Sequence, residues 1–163
     1  MIRSIRRVQE RDIASIAAIE RSTFSDPWSE SSFRDVVAHS RMYFACVCES
    51  AAVDRGAGRV LGYVVAWFAG GQGEIANLAV DPELRGQGIG SSLLDAALDE
   101  ARQQGTEEVF LEVRNSNMRA RQLYESRGFV EVGRRRRYYR HPVEDAVILR
   151  RTEPAAVNPH SDR

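Results

Sequence analysis

Cysteine and histidine are scarce in this 163-residue chain, and neither sign of charge is in excess. The two cysteines, Cys46 and Cys48, cannot supply a disulfide framework, and no second Cys or His cluster completes a tetrahedral zinc site around them. They occupy i and i+2 of "MYFACVCES", which on a strand points both to one face, so buried core thiols are expected. His39, His141 and His160 are scattered, and no metal is expected. Lys plus Arg total 23 against 23 for Asp plus Glu, so the whole-chain field gives no reason to bind nucleic acid, and any such role has to be local. A run of about 18 apolar residues is missing, which argues against a membrane span. The start, "MIRSIRRVQERDIAS", is basic without an apolar stretch behind it, unlike a secretory signal, so a cytoplasmic location is expected. Internal repeats and low-complexity segments are also lacking. The length suits one domain with a sizeable core.

The residues that are present alternate between strand and helix texture. "MIRSIRRV" reads as a strand. "ERDIASIAAIERSTF" reads as a helix with Ile13, Ile16 and Ala17 near one stripe, and Pro27 and a Ser29 N-cap precede a second short helix. Three strands follow, in "RMYFACVCE", "VLGYVVAWFA" and "EIANLAV", separated by the turns "AAVDRGAGR" and "GGQG", which is the pattern of an antiparallel meander. The stretch 51–59 is a lengthened turn without an assigned role. A long helix with Ile89, Leu93, Leu94, Ala97, Leu98 and Ala101 on one face ends at Gly105. "EEVFLEVR" is a strand, "SNMRARQLYESRG" a helix closed by Gly128, and "FVEVGRRRRYYR" and "EDAVILRRT" are two more strands. The order β-α-α-β-β-β-α-β-α-β-β predicts a mixed sheet with helices on both faces, and its fourth and fifth strands are joined by a right-handed crossover and lie parallel. Residues 1–151 are expected to form the domain, and the polar tail 152–163, with two prolines, to be disordered.

The stretch "NLAVDPELRGQGIGSSLLDAAL" places Gly86, Gly88 and Gly90 where a turn becomes a helix. A dinucleotide fingerprint needs G-x-G-x-x-G after the first strand of a unit, and here the third place is Ser91 with several strands before it. A triphosphate-binding loop needs a Lys that is absent after these glycines. What remains is an anion held by close-approaching backbone N–H groups at a helix N-terminus, or a glycine-rich turn with no ligand.

"RGQGIG", preceded by "AVDPELR", resembles the R/Q-x-x-G-x-G/A pyrophosphate loop of the GNAT superfamily of N-acetyltransferases. "LEVRNSNMRARQLYESRGF" is similar to a block of the RimI-type enzymes, which acetylate the N-terminal alanine of a ribosomal protein, and "DPWSESSF" and "RRRYYRHPVEDAVIL" add to that likeness over residues 2–150. The resemblance implies an α/β (α+β mixed) GNAT fold, one domain with a central, mixed, mostly antiparallel seven-stranded sheet flanked by about four helices. Acetyl-CoA is the implied co-substrate. The implied partner is a protein N-terminus, that of protein eighteen of the small ribosomal subunit, and no membrane is involved.

Carried over residue by residue, the resemblance gives the backbone of Leu78, Ala79 and Val80 to the acetyl-bearing arm, with an amide near Val80 polarising the thioester. Arg85, Gly86, Gln87, Gly88, Ile89, Gly90 and Ser91 take the pyrophosphate, and Asn117 reaches the arm unless it serves only as a helix N-cap. Glu112 becomes the general base, directly or through water; a carboxylate in the apolar strand "VFLEV" is costly without a task, or else simply faces outward with Phe110. An α-amine has a pKa near 8 against about 10.4 for lysine, so roughly a tenth of it is already neutral at pH 7. Tyr124 becomes the general acid that reprotonates the thiolate, the alternative being a packed core aromatic. Trp28, Tyr138 and Tyr139 are the substrate-binding candidates. The run Arg134–Arg137 exceeds the family pattern and raises a weak ribosomal RNA contact, against a solvated strand face. The competing readings are a GNAT enzyme for a small amine or a lysine side chain, a coenzyme-A-binding sensor without turnover, and covalent transfer through Cys46 or Cys48.

Overall fold

The computed structural model describes residues 1–51 and 58–154, so part of the 51–59 turn and most of the expected tail lie outside the described residues. Among the described residues, seven strands and four α-helices follow one another in the expected order. They are β1 (Ile2–Arg7), α1 (Ile13–Thr23), α2 (Glu30–Ala38), β2 (Met42–Ser50), β3 (Arg59–Ala69), β4 (Gln72–Val80), α3 (Ile89–Gln103), β5 (Glu108–Arg114), α4 (Met118–Ser126), β6 (Val130–Tyr139) and β7 (Glu144–Thr152). β7 runs through Thr152, one residue past the expected boundary, and Glu153 still binds the sheet by donating its N–H to Glu107 at 2.7 Å.

The sheet order is β1-β2-β3-β4-β5-β7-β6. Only β4 and β5 pair in parallel, and every other neighbouring pair is antiparallel. The helices divide between the two faces. Leu93, Leu94, Ala97, Leu98 and Ala101 of α3, with Tyr124 of α4 and Phe129, pack on one face; Ile13, Ile16, Ala17 and Ile19 of α1, with Phe33 of α2, pack on the other. Among the described residues no helix is long and apolar enough to cross a membrane.

Local chemistry sets the helix ends. The Ser29 hydroxyl accepts the Ser32 N–H at 3.1 Å at the start of α2. Gly105, at φ +72°, lets Thr106 donate back to the Ala101 carbonyl at 2.9 Å and close α3, the bonding pattern of a glycine-terminated helix. Cys46 and Cys48 are buried free thiols with Sγ atoms 3.4 Å apart. The neighbouring Asp12 carboxylate is held by Arg6 through bonds of 2.7 and 2.9 Å.

Two features of the central strands prepare the site. β4 pairs with β5 only over Gln72–Glu74 against Glu108–Phe110, after which the strands part. On its other edge β4 carries a bulge at Ala76, because Asn77 pairs with Val65 while Ile75 pairs with Ala66. Gly62 of β3 brings the start of α3 down onto this region: a Cβ there would lie 2.9 Å from the Ala79 carbonyl oxygen, 3.1 Å from Leu93 and 3.2 Å from Ile89. Gly62→Ala is therefore expected to overpack this junction and destabilise the protein by about 1–3 kcal/mol, read as a lower urea midpoint with unchanged m-value.

Candidate active site

The parting of β4 from β5 leaves one edge of β4 without a strand. The Asp81 N–H donates to the Leu61 carbonyl at 2.9 Å, and alternation along an antiparallel ladder then turns the Ala79 N–H toward β3 as well. Leu78 and Val80 accordingly present their backbone groups to the gap. Of the three residues expected to hold an extended ligand arm, these two are free to do so and Ala79 is already engaged.

The glycine turn sits at the end of this edge. Gly86 and Gly88 have φ of +79° and +78°, a conformation that costs side-chain-bearing residues energy. Gly88 caps α3, and the Ser92 N–H is the first to be used within the helix, donating to the Gly88 carbonyl at 3.0 Å. The N–H groups of Ile89, Gly90 and Ser91 are thus left at the positive end of the helix dipole. A Cβ on Gly90 would lie 3.4 Å from Leu123, 3.6 Å from Val80 and 4.0 Å from Leu78, so the first turn of α3 sits close to both the open strand and α4. Arg85 is exposed and reaches the Thr23 hydroxyl at 3.4 Å, and the Arg119 guanidinium stands over Gly86. The Gln87 side-chain oxygen accepts from Arg3 at 2.6 Å, beside a cavity of about 260 Å³ bounded by Arg3, Gln87, Gly88, Ile89 and Ser92. Amide donors, a helix dipole and two guanidinium groups fit a pyrophosphate.

Glu112 lies on the opposite side of the sheet. Val109, Leu111 and Val113 of β5 enter the core under α3 and α4, so the alternating Phe110 and Glu112 face the α1–α2 side. The Glu112 carboxylate pairs with Arg135 at 2.7 Å. Its charge, burial and a hydrogen bond from the phenol raise the pKa of Tyr138. Tyr139, stacked edge-on against Tyr138 at 5.1 Å, is pushed up to about 12 by burial and then by Glu112. Trp28, on the turn between α1 and α2, is half-buried against Phe33 at 5.5 Å.

Tyr124 comes from α4 on the α3 side, buried against Phe129. Burial holds its phenol protonated well above the usual range, and it makes no hydrogen bond among the described residues. Asn117 is the N-cap of α4, its side chain accepting the Ala120 N–H at 3.2 Å. In the run Arg134–Arg137, Arg134 is held by Glu131 at 2.7 Å and Asn115 at 3.0 Å, and Arg135 by Glu112. The side chains of Arg136 and Arg137 are unpaired among the described residues.

Sequence reasoning missed Glu20. Its signal was a carboxylate seven residues after Ile13 on the apolar stripe of α1, and the structure buries it to 1% exposure.

The acetyltransferase (GNAT) family matches residues 13–129 of the chain. The chain belongs to this family. Among curated GNAT relatives, the ribosomal protein bS18-alanine N-acetyltransferase of Escherichia coli K12 is 31% identical over 150 residues, covering 90% of this chain and 95% of that protein. The N-alpha-acetyltransferase RimI of Mycobacterium tuberculosis H37Rv is 36% identical over 146 residues and 86% of each chain. The crystal structure of the ribosomal-protein-S18-alanine N-acetyltransferase from Escherichia coli superposes with a TM-score of 0.84 at 30% identity, over 96% of this chain and 98% of that one. The expected GNAT architecture, a mixed seven-stranded sheet with four helices, is the one observed.

All five tyrosines of this GNAT enzyme have raised pKa values, burial leading for Tyr43, Tyr63, Tyr124 and Tyr139 and the Glu112 charge for Tyr138. A raised folded-state pKa gives stability that is complete below the unfolded value of about 10 and lost as pH climbs toward the folded values. An absorbance titration is expected to show few phenolates at pH 10 in the folded protein. Above that pH, phenolate appearance and loss of circular dichroism should coincide.

Proposed function

We propose that this enzyme transfers acetyl from acetyl-CoA to the N-terminal α-amine of a protein, and that its substrate is the N-terminal alanine of ribosomal protein bS18. The observation that carries the reading is the gap between β4 and β5, open to the glycine turn at the start of α3 on one face of the sheet and to a carboxylate flanked by tyrosines on the other. Relatives named for this reaction support the choice of substrate.

In this reading the pyrophosphate rests on the N–H groups from Gly86 to Ser91, with Arg85 beside it, and Asn117 contributes to the arm as well as capping α4. The arm lies along β4, and the Val80 N–H polarises the thioester carbonyl. The peptide enters from the α1–α2 side between Trp28, Tyr138 and Tyr139. Glu112 takes a proton from the attacking amine, directly or through water, once the amine has displaced Arg135 from one carboxylate oxygen. As the tetrahedral intermediate collapses, Tyr124 gives its proton to the departing thiolate; a phenol kept protonated by burial is in the correct state for that step. The same reading confines a ribosomal RNA contact to Arg136 and Arg137, the two free members of the run. Two phosphate contacts predict a shallow fall of binding with salt, and a flat dependence overturns that contact.

Mass spectrometry of peptides with differing N-termini after incubation with acetyl-CoA tests the main claim, with α-acetylation of the alanine peptide expected. The chain has no lysine, so no ε-amine of its own competes for label. Glu112→Gln is expected to lower kcat about 100-fold, most at low pH, and Tyr124→Phe to lower kcat by a similar factor with coenzyme binding little changed. Acetylation confined to lysine side chains or small amines, or full activity in both variants, overturns the reading.

A further inference from the structure

Glu20 is a buried carboxylate that the mechanism above does not use. It lies on the core-facing stripe of α1 with Ile13, Ile16 and Ala17, where an apolar residue would be less costly. Its two oxygens meet three donors: the Tyr63 hydroxyl and the Asn77 side-chain amide, the latter at 2.8 Å, on Oε2, and the Trp28 backbone N–H at 3.1 Å on Oε1. Among the described residues it has no ion-pair partner. One carboxylate therefore ties α1 to the turn that carries Trp28, to β3 and to β4.

Asn77 reaches Glu20 because of the bulge. Ile75 packs under α3, the extra residue Ala76 packs under α1, Asn77 follows on the α1 side, and Leu78 returns to the α3 side. In a regular strand Ile75 and Asn77 would share a face, and Asn77 would point away from α1. The bulge thus gives Asn77 the same side of the sheet as Glu112. Asn77 also lies beyond Glu74, the last residue of β4 paired with β5, so it belongs to the wall of the gap. A carboxylate can only accept, so the Asn77 amide has to offer its NH₂ group to Glu20. Its carbonyl oxygen is left without a donor among the described residues, held in one orientation at the amine side of the gap.

We propose that Asn77 Oδ1 accepts a hydrogen bond from the α-amine of the acceptor peptide, and that Glu20 is the positioning residue that holds it ready. This rests on the α-amine reading above. A neutral primary amine has two N–H bonds and one lone pair. The lone pair attacks the thioester carbon, one proton leaves to Glu112 as the C–N bond forms, and the second N–H stays on nitrogen in the amide product, donating to Asn77 throughout. The C–S bond breaks with its electron pair on sulfur, which Tyr124 protonates. The site would then select primary over secondary amines, because a secondary amine has no second N–H to give.

The test compares an alanine-starting peptide with its N-methylalanine counterpart on the wild-type enzyme, Asn77→Leu and Glu20→Gln. Asn77→Leu removes the acceptor at similar volume, so it opens little new room for the methyl group. N-methylation is expected to cost the wild type about tenfold or more in kcat/KM, as a site loses when its polar group is left unpaired. Asn77→Leu should lose about tenfold or more on the primary peptide, with the KM for acetyl-CoA within about twofold of wild type, and then show only a small further loss on N-methylation. Glu20→Gln, which can turn a donor toward Trp28 or Asn77, should shrink the N-methyl penalty in the same way and serves if Asn77→Leu does not fold. An equal N-methyl penalty in the wild type and the folded variant, or unimpaired turnover of the primary peptide by that variant, overturns the proposal. Absence of α-acetylation by the wild type itself would instead overturn the reading on which the proposal rests.

Discussion

The structure depends on one interruption in its hydrogen bonding: β4 and β5 pair over three residues and then separate. A parallel pair in the middle of a sheet normally continues, because unpaired backbone groups are costly to bury. Here the separation is maintained from both sides. β4 follows β3 through the bulge at Ala76, and β5 follows β7 along its whole length from Glu108 to Arg114. The two halves of the sheet are each paired internally, and past Glu74 the edge of β4 that faces β5 has no strand partner among the described residues.

The face assignments are what make this gap the proposed reaction site. In the proposed function a phosphate-bearing ligand takes the α3 side, where Gly86 and Gly88 turn the chain and the first N–H groups of α3 stand at the positive end of its dipole. The α1–α2 side offers carboxylates and phenols instead, and a cationic amine is favoured there. On that reading the sheet itself separates the two approaches, and the two reactants meet where β4 and β5 part. Placing them on opposite faces would also keep the phosphate charge of the proposed co-substrate away from Glu112.

Much of this was legible in the sequence. Helical and strand periods gave the element order, and the helix-closing roles of Gly105 and Gly128 and the cap roles of Ser29 and Asn117 follow from local chemistry that reads directly. Glu112 stood out because its strand neighbours are apolar. The gap did not stand out, since nothing local in "QGEIANLAV" marks where pairing stops. The bulge at Ala76 was equally silent: it is set by the register of β3 against β4, a non-local property, and with it goes the direction in which Asn77 points. Glu20 was hidden for a different reason. On an amphipathic helix one carboxylate near the stripe reads as a boundary residue, and only the packing of Tyr63 and Asn77 onto it shows that it is interior. The Arg134–Arg137 run is exposed, as a solvated strand face would be, but the sequence did not show that Arg134 is held by Glu131 of its own strand and by Asn115 in the turn after β5, or that Arg135 reaches Glu112 across β7.

The pairing of Arg135 with Glu112 follows from the same logic and bears on how the site waits for substrate. A half-buried carboxylate beside two tyrosines is unfavourable without a cation. The Arg135 guanidinium supplies one while its own side chain remains 59% exposed, so the pair is closer to a surface ion pair than to a buried one, and separating it costs about 0–1 kcal/mol. An arriving ammonium can therefore exchange with the guanidinium at little net cost. Moreover, an arginine cannot lose its proton at any ordinary pH, so Arg135 does not compete with an incoming amine as a proton donor or nucleophile. A lysine in the same place would carry a dissociable proton and a nucleophilic amine within reach of the thioester. The chain contains no lysine, so in the proposed reaction no ε-amine of its own competes with the substrate at Glu112.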